Sequence, residues 1–487
     1  MRSMSVLFAG VVCLFAGMLF RVLDDPHGRA AAQQSSRSAA SIASSVREFG
    51  ARGDGKADDT QALQRAVDSG LGEIRIPRGV YRISKPIVID LDRVGPTSIV
   101  ADGTARLVMT GAGPALKFVG THGGTASPHT VTPNVWEQQR TPLIDGIEIV
   151  GAHPEACGVE ATGTMQAIFS RVTVRDALHG IHLTKRNRNV IISECHLYDN
   201  RGIGCFLENL NLHQINITNC HISYNDAGGI VVRGSEIRNL QIGTCDIEGN
   251  MGPENEPTAN ILFDCTTGTV REGAIVGCTI QHTHDAPGSA NVRFIGASEL
   301  VNQKVGHFCI ADNAMSDVAV NIHLRHARGV TITGNTLWKA FEQNLLVEGS
   351  SDVVLGDNLL DRNPDYRPND SPNRLVFRDS RDCTITGLHV KHTLTGKAAL
   401  ELANCQYFNI TGCSILDSDG AGMLLTGCVN CRVSDCLIAD RRDEVVDKGP
   451  AILVDGGEGN QIVSNLVRGG IRVKGDGATA TENQAIE

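Results

Sequence analysis

Short runs of alternating apolar and polar residues recur along this chain of 487 residues. Seven of them superpose without gaps, with apolar second and fourth positions in every case: GIVVRG at 229–234, NILFDC at 260–265, NVRFIG at 291–296, NIHLRH at 321–326, NLLVEG at 344–349, RLVFRD at 374–379 and GIRVKG at 470–475. Alternation with one apolar phase is typical of a strand with one buried face. The runs therefore predict a series of equivalent short strands.

A second pattern repeats at a fixed interval. The segments ISECHL at 192–197, ITNCHI at 217–222 and IGTCDI at 242–247 place Cys195, Cys220 and Cys245 at a spacing of 25 residues. Such self-similarity is the signature of a solenoid, whose units stack because none can bury its apolar face alone. Two or more short strands per turn leave no room for helices. We therefore predict an all-β, single-stranded parallel β-helix with coils about 4.8 Å apart.

Composition agrees with a turn-rich globular chain that has one long domain. The chain contains 53 Gly, and aromatic residues make up only 4%. Its formal net charge of −10 argues against a nucleic-acid partner, because the anionic phosphate backbone binds basic protein surfaces. An anionic polysaccharide would need a local basic patch on such a protein.

The N-terminus predicts export. Met1 and Arg2 precede an apolar run from 6 to 20, and a small-residue cleavage site follows at 30–32. We expect a signal peptide at 1–32, a polar linker at 33–45, the β-helix at 46–475 and a C-terminal tail at 476–487. An uncleaved membrane anchor is the alternative to the signal peptide. The expected location is secreted, periplasmic or at the cell surface.

The 15 cysteines of an exported chain normally suggest disulfides. Here their spacing follows the coil period, and small buried thiols stack well inside a coil. We therefore expect most of the thiols to be free.

The most specific motif is FGARGDGKADDTQALQRAVD at 49–68, followed by GEIRIPRGVYRI at 72–83. Asp58 or Asp59 can cap a helix that begins near Thr60. The apolar face of that helix comprises Ala62, Leu63, Ala66 and Val67. A helix here would cover the open end of the solenoid, whose first coil otherwise exposes unpaired backbone.

In these residues the chain resembles the pectin-lyase-like superfamily, and within it the epimerase-like pectate lyase domain also found in rhamnogalacturonases. The resemblance implies a right-handed parallel β-helix that usually acts on polysaccharides. It also implies that Asp54, Asp58 and Asp59 are structural, since the motif builds the cap in such proteins. Of the polygalacturonase motifs only Arg-Ile-Lys has a counterpart in this chain, Arg472-Val473-Lys474. The strand alignment already accounts for these three residues as part of its last strand. The resemblance implies no particular reaction.

Candidate chemistry lies on the outward positions of the aligned strands. We predict a catalytic set of His323, Arg293, Arg325 and Asp264. Substrate-binding residues are expected on the same face and on the loops beside it, namely Glu348, Arg378, His284, Asp285, Glu254 and Glu256. The coils on either side are expected to expose Val231, Leu262, Ala403 and Thr426 instead. Because this face is expected to be solvated, substitutions there should change stability by no more than about half a kcal/mol.

Spacing favours one reaction over another. Asp264 and Glu348 are three coils apart, roughly 14 Å at the β spacing, whereas glycoside hydrolysis needs carboxyls about 5 to 9.5 Å apart. β-Elimination on a uronic acid needs cations for the sugar carboxylate, as Arg293 and Arg325 could provide, and a base such as His323 or His284. Hydrolysis with loop carboxylates, uronate epimerisation and a non-catalytic carbohydrate-binding surface protein remain alternatives.

A metal site is a further alternative. His196, His221 and Asp246 follow the three spaced cysteines and should line up outward on consecutive coils. Exposed polar residues occupy such positions in any case, so we predict no metal and no cofactor. The expected partner is a polysaccharide, with no membrane contact beyond the possible anchor.

Overall fold

In the computed structural model, backbone hydrogen bonds join strands from successive turns of the chain into parallel ladders. The structure describes residues 44–252, 258–298, 304–361, 371–443 and 448–486. The predicted signal peptide and most of the predicted linker lie outside these residues. The fold is a right-handed parallel β-helix, as the sequence predicted.

Three parallel sheets run along the helix. The first sheet contains β1 Ser44–Ser45, β3 Glu73–Ile76, β6 Ser98–Ala101, β9 Leu143–Gly151, β11 Ile168–Arg175, β12 Ile181–Ser193, β14 Ile203–Thr218, β17 Glu236–Gly243, β20 Thr269–Val276, β23 Val305–Ala311, β26 Ala327–Thr333, β29 Ser351–Gly356, β32 Thr384–Thr386, β35 Asn409–Thr411, β38 Arg432–Ser434, β41 Asn460–Val463 and β44 Ala478–Thr481.

The second sheet contains β2 Asp54–Asp58, β4 Gly79–Ile83, β7 Ala105–Met109, β13 His196–Tyr198, β15 His221–Ser223, β18 Asp246–Glu248, β21 Thr279–Gln281, β24 Ala314–Ser316, β27 Thr336–Trp338, β30 Leu359–Asp361, β33 His389–Lys391, β36 Ser414–Leu416, β39 Leu437–Ala439, β42 Leu466–Val467 and β45 Gln484–Ala485. The third sheet contains β5 Ile87–Asp90, β8 Gly113–Val119, β10 Ala156–Met165, β16 Gly228–Arg233, β19 Ile261–Asp264, β22 Ala290–Ile295, β25 Val318–Arg325, β28 Ala340–Glu348, β31 Arg374–Arg378, β34 Ala398–Ala403, β37 Ala421–Thr426, β40 Ile452–Asp455 and β43 Ile471–Lys474. Four long strands, β9, β11, β12 and β14, each pair in two sheets.

Helical segments are short and few among the described residues. They are α1 Thr60–Asp68, α2 Leu91–Val94, the 3-10 turns Val46–Phe49 and Pro128–Thr130, and a π-helical turn at Val135–Gln139. Helix α1 buries the predicted face of Ala62, Leu63, Ala66 and Val67 against the first coils.

The acidic residues of the N-terminal motif hold the backbone around α1. Asp59 is the N-cap residue of the helix, and Asp58, one residue earlier, accepts a hydrogen bond from the Thr60 N–H on its Oδ1 at 3.0 Å. The Asp59 carboxylate instead accepts the N–H groups of Arg52 and Gly53, at 2.7 and 3.0 Å. These two carboxylates therefore hold the backbone around α1, which is a structural role of the kind expected for them.

The repeated cysteine positions mark one corner of the coil. Equivalent corner positions on other coils carry Cys, Asn or Leu. The residue before each corner position adopts φ between +52° and +68°, in Glu194, Asn219, Thr244, Gly277, Asp312, Gly334, Asp357, Gly387, Gly412, Asp435 and Ser464. This left-handed conformation suits Gly, Asn and Asp, which explains the polar or glycine residue before each corner position. The cysteines among the described residues carry free thiols, and all but Cys157 and Cys309 are buried.

A ladder of buried amides runs beside another corner. Each side-chain Nδ2 donates to the Oδ1 of the next residue, over 2.6 to 3.2 Å, through Asn200, Asn225, Asn250, Asn260, Asn291, Asn321, Asn344 and Asn373. Every interior amide thus has its donor and acceptor satisfied by the neighbouring members of the ladder, which removes the cost of burying it. The neighbours lie on adjacent coils except for Asn250 and Asn260, which share one coil.

The sheets extend beyond the predicted boundaries at both ends. Ser44 and Ser45 pair with Ile74 and Arg75, within the segment predicted to be linker. Strands β44 and β45 pair with β41 and β42, within the segment predicted to be a tail.

The amide ladder leads to a stability prediction. Asn291→Ala removes the bonds of its amide to Asn260, Asn321 and the Ser316 carbonyl, and leaves their buried partners unsatisfied. We expect a loss of at least about 2 kcal/mol in the free energy of unfolding, measured by denaturant titration. The control Asn409→Ala removes an exposed amide and should change it by less than about 0.5 kcal/mol. Equal effects of the two substitutions would contradict a stabilising ladder.

Candidate functional site

The third sheet pairs the seven aligned strands in the predicted register. Asp264 lies opposite Ile295, Ile295 opposite Arg325, and Arg325 opposite Glu348. The carboxylates of Asp264 and Glu348 are therefore three coils apart, as predicted. We call the outward residues Asp264, Arg293, His323, Arg325, Glu348 and Arg378 the middle strip.

Arg293 is not on a solvated surface, contrary to the prediction. Arg293 is only 6% exposed, and its guanidinium contacts the backbone of Thr258 and Gly288. Its Nη1 donates to the Thr258 carbonyl at 2.8 Å, and its Nη2 donates to the Gly288 carbonyl at 2.5 Å. Burial lowers the pKa of Arg293 to about 10, so the guanidinium stays charged at neutral pH. Arg293 thus ties two loops to the sheet.

His323 is bonded on both sides. Its Nδ1 accepts a hydrogen bond from Arg293 Nε at 3.2 Å, so the ring proton is on Nε2, which lies 3.1 Å from Glu348 Oε2. Burial, together with the charge of Arg293, lowers the pKa of His323. The other oxygen of Glu348 pairs with Arg378 Nη1 at 3.3 Å. The middle strip therefore contains a continuous relay of hydrogen bonds and ion pairs.

The outward positions of the neighbouring coils differ in exposure: Thr426 is exposed, as predicted, and Ala403 is half-buried, whereas Val231 and Leu262 are buried. Val231 and Leu262 are 0% and 4% exposed, so the prediction that these residues face solvent is wrong. They pack with Phe206, Ala259 and Ala290 in a small apolar cluster outside the main core.

The remaining predicted residues are spread over this face. Asp264 lies 3.8 Å from Arg233 Nε, and Arg325 is exposed. His284 and Asp285 are exposed on a loop, where the His284 ring stacks on Phe341 with centroids 4.5 Å apart. Glu254 and Glu256 lie outside the described residues.

A second row of basic residues lies on the first sheet. Arg188 lies opposite His213, His213 opposite Arg238, and Arg238 opposite Arg271. Arg186 stands two residues before Arg188, on the same face of β12. We call these five residues the arginine column.

Two of these arginines are held by neutral groups. Arg188 Nη1 donates to the carbonyls of Thr125 (2.9 Å) and Ala126, which fixes the 121–140 loop beside the column. The Arg188 Nε is buried without a hydrogen-bond partner. Arg186 Nη1 donates to Asn211 Oδ1 at 2.6 Å.

Arg238 is held in the same way, since its Nη1 donates to Thr269 Oγ1 at 2.7 Å. Within the part of the chain that the structure describes, no carboxylate oxygen lies within 4.0 Å of the guanidinium nitrogens of Arg186, Arg188 or Arg238. These three positive charges are therefore available to an anion.

His213 stands in the middle of these charges. Burial lowers its pKa first, followed by the charges of Arg238, Arg188 and Arg186, whereas Glu272 opposes the shift. A histidine with such a depressed pKa is neutral at physiological pH and can accept a proton.

His122 stands close to the same charges. It is 3% exposed, and its Nδ1 has no hydrogen-bond partner. Burial and then the charges of Arg186 and Arg188 lower its pKa. A buried polar atom without a partner indicates a site that a ligand or water completes.

A polar groove of about 360 Å³ continues from the arginine column along the same three strands. Its lining includes the side-chain amides Asn189, Gln214, Asn216, Asn239 and Gln241. Amides offer both donors and acceptors, which suits sugar hydroxyl groups. Cations and amides thus lie side by side on three successive coils.

The sequence contains a signal for this column that the strand alignment missed. The triplets Arg188-Asn-Val, His213-Gln-Ile, Arg238-Asn-Leu and Arg271-Glu-Gly recur at intervals of 25, 25 and 33 residues. Cys195, Cys220, Cys245 and Cys278 recur at the same intervals. A basic residue seven positions before each of these cysteines therefore predicts a column.

The second sheet brings together part of the set considered for a metal. His221 Nε2 lies 3.6 Å from Asp246 Oδ2 and 3.8 Å from Glu248 Oε1. His196, the third residue of the predicted set, contacts His221 edge-on, with ring centroids 5.7 Å apart. The third residue of the group is therefore Glu248, on the same coil as Asp246, rather than His196.

Two families match different parts of the chain. Residues 43–245 match the family described as rhamnogalacturonase A/epimerase, pectate lyase-like. This confirms the resemblance to the pectin-lyase-like superfamily of right-handed parallel β-helix proteins that the N-terminal motif predicted. Residues 259–485 match the family described as periplasmic copper-binding protein (NosD).

Individual relatives are more distant. Alginate lyase 7 of Azotobacter vinelandii is 51% identical over 43 residues, which are 8% of this chain and 5% of that protein. The A-module of mannuronan C-5 epimerase AlgE6 from the same organism is 14% identical over 91% of this chain and 99% of its own, with a TM-score of 0.33. A family 28 exopolygalacturonase of Yersinia enterocolitica is 14% identical over 91% of this chain and 77% of its own, with a TM-score of 0.38. Likeness at this level does not identify a reaction.

Among the described residues, no helix is long and apolar enough to span a membrane.

The contacts of Arg293 lead to a second stability prediction. Arg293→Ala leaves the Thr258 and Gly288 carbonyls and His323 Nδ1 without their donors, so we expect a loss of about 2 to 4 kcal/mol in the free energy of unfolding. The two loops should also become susceptible to limited proteolysis. The control Arg325→Ala, one coil further along the same sheet, removes an exposed side chain and should leave both measurements nearly unchanged. If Arg293→Ala matches the control, Arg293 does not hold the loops.

Proposed function

We propose that this protein binds an anionic polysaccharide along the arginine column. The observation that carries the proposal is that Arg186, Arg188 and Arg238 have no carboxylate partner among the described residues, on a chain with a net charge of −10. Guanidinium groups pair with sugar carboxylates in bidentate geometry, and successive coils present them at a regular spacing. The match of residues 43–245 to a family described as pectate lyase-like supports a polysaccharide partner.

We propose further that the reaction is β-elimination at a uronic acid. Arg188 and Arg238 neutralise the sugar carboxylate, which acidifies the neighbouring C5–H bond. His213 takes the C5 proton, the electron pair forms the C4=C5 double bond, and the C4–O bond breaks. Water protonates the departing oxygen. The neutral state of His213, maintained by burial and the three arginines, supports its role as the base.

The middle strip remains a second candidate for the same reaction. The sequence predicts His323 as its base, with Arg293, Arg325 and Asp264 as the other catalytic residues and Glu348, Arg378, His284 and Asp285 as substrate-binding residues. Exposure of Arg325, His284 and Asp285 favours it, whereas the relay around His323 occupies both ring nitrogens. The arginine column is the better supported of the two, because no carboxylate oxygen of a described residue lies within 4.0 Å of the guanidinium nitrogens of Arg186, Arg188 or Arg238.

We also propose that the protein is exported. The apolar N-terminal run supports export, as does the match to a family described as periplasmic.

The binding proposal is tested by titrating the full chain with polygalacturonate and polymannuronate, with dextran as the neutral control. Arg188→Ala and Arg238→Ala should each weaken binding of the reactive polyuronate about ten- to 100-fold, because each removes a charge-assisted contact. Arg328→Ala is the matched control, since Arg328 lies in the same row of the first sheet but pairs with Asp352 at 3.2 Å. Unchanged binding in both column variants would exclude this site.

The reaction is tested by the ultraviolet absorbance of the unsaturated product and, separately, by new reducing ends. His213→Ala should lower turnover about 10²- to 10⁴-fold and retain binding. His323→Ala tests the second candidate in the same assay. Reducing ends without the absorbance would favour hydrolysis, and binding without either product would favour a non-catalytic carbohydrate-binding protein.

The pH dependence of turnover provides an independent check on His213. Its pKa lies below the ordinary value of 6.5, so the free base predominates at neutral pH and turnover should fall only on acidification. Among the three arginines, Arg238 lowers the pKa of His213 most. Arg238→Ala removes that effect, so the acidic limb of the pH profile of kcat/KM should move to higher pH. Arg238→Lys keeps the charge and should move it less. An acidic limb that stays in place in Arg238→Ala argues against His213 as the base.

A further inference from the structure

Three possible ligand atoms converge on the second sheet, away from the arginine column. His221 lies opposite Asp246 on successive coils, and Glu248 follows two residues later on the same face. The ligand atoms of the three side chains all lie within 4.8 Å of one another. All three side chains are at least partly exposed, so an ion can reach them from solvent.

The distances suit a shared ion better than direct hydrogen bonds. The separations of 3.6 and 3.8 Å from His221 Nε2 to the two carboxylate oxygens exceed the range of an N–H···O bond. Two ligands at about 2.1 Å from one tetrahedral ion stand roughly 3.4 Å apart. Only small side-chain movements would therefore close the site around a metal.

The surroundings also resemble those of a metal site. Asp246 and Glu248 point at the same place although both are acidic, and no Lys or Arg nitrogen among the described residues lies within 4.0 Å of either carboxylate. Glu248 Oε2, the oxygen that is not the one near His221, accepts a hydrogen bond from Gln281 Nε2 at 3.1 Å. Partners of this kind orient the ligands of metal sites.

We propose that His221, Asp246 and Glu248 bind a divalent transition-metal ion, with Zn²⁺ as the reference ion and water completing the coordination. One imidazole and two carboxylates suit zinc, whereas calcium requires oxygen ligands alone and more of them. The site does not depend on the proposed polysaccharide function. It also lies outside residues 259–485, the segment that matches a family described as copper-binding.

The test is isothermal titration calorimetry of zinc sulfate into the metal-stripped full-length protein. The unmodified chain should bind one ion at this site, and both His221→Ala and the isosteric Glu248→Gln should abolish that binding. Gln281→Ala removes only the group that orients Glu248 and should weaken it about ten- to 100-fold.

His389→Ala is the matched control. His389 belongs to the same row of outward positions on the second sheet, but its neighbours there are Leu359 and Ser414. The control should bind zinc like the unmodified chain, and circular dichroism should show all variants folded. The proposal is overturned if the unmodified chain gives no binding heat, if zinc binding survives His221→Ala, or if calcium binds and zinc does not.

Discussion

Cross-coil backbone hydrogen bonding is the constraint on which the rest of this structure depends. Because every strand pairs in parallel with its equivalent on the next coil, each residue stands about 4.8 Å above a residue at the same position of the repeat. Any property of one position is therefore multiplied along the helix. A buried amide becomes a satisfied ladder, as in Asn260, Asn291 and Asn321, whereas a single buried amide would be a defect.

On the outer surface the same constraint has two opposite results. In the middle strip, successive positions bring His323, Glu348 and Arg378 into contact, so the charges compensate one another. In the arginine column, successive positions repeat the same sign around His213, so the charges repel. Such repulsion lowers stability unless an anion relieves it, which is why we propose the column, rather than the middle strip, as the polysaccharide-binding surface.

The loops determine which of these surfaces is open. Arg293 links Thr258 and Gly288 to the third sheet, because its guanidinium bonds to the carbonyl of each. That contact buries a residue whose position in the strand faces outward. The 121–140 loop is bonded to Arg188 instead, and the amide groove beside that column stays open.

The sequence by itself determined two features that depend on the repeat, the strand register and the separation of Asp264 from Glu348. Its N-terminal motif determined the buried face of α1 and the superfamily resemblance. The sequence also contained the spacing of the arginine column. Only the tertiary structure decided which outward residues reach solvent, because the contacts that bury Arg293 and Val231 do not follow from the period of the repeat. It also decided that Glu248 joins His221, since side-chain direction across neighbouring positions is set by packing, and a repeat fixes only the position of the backbone.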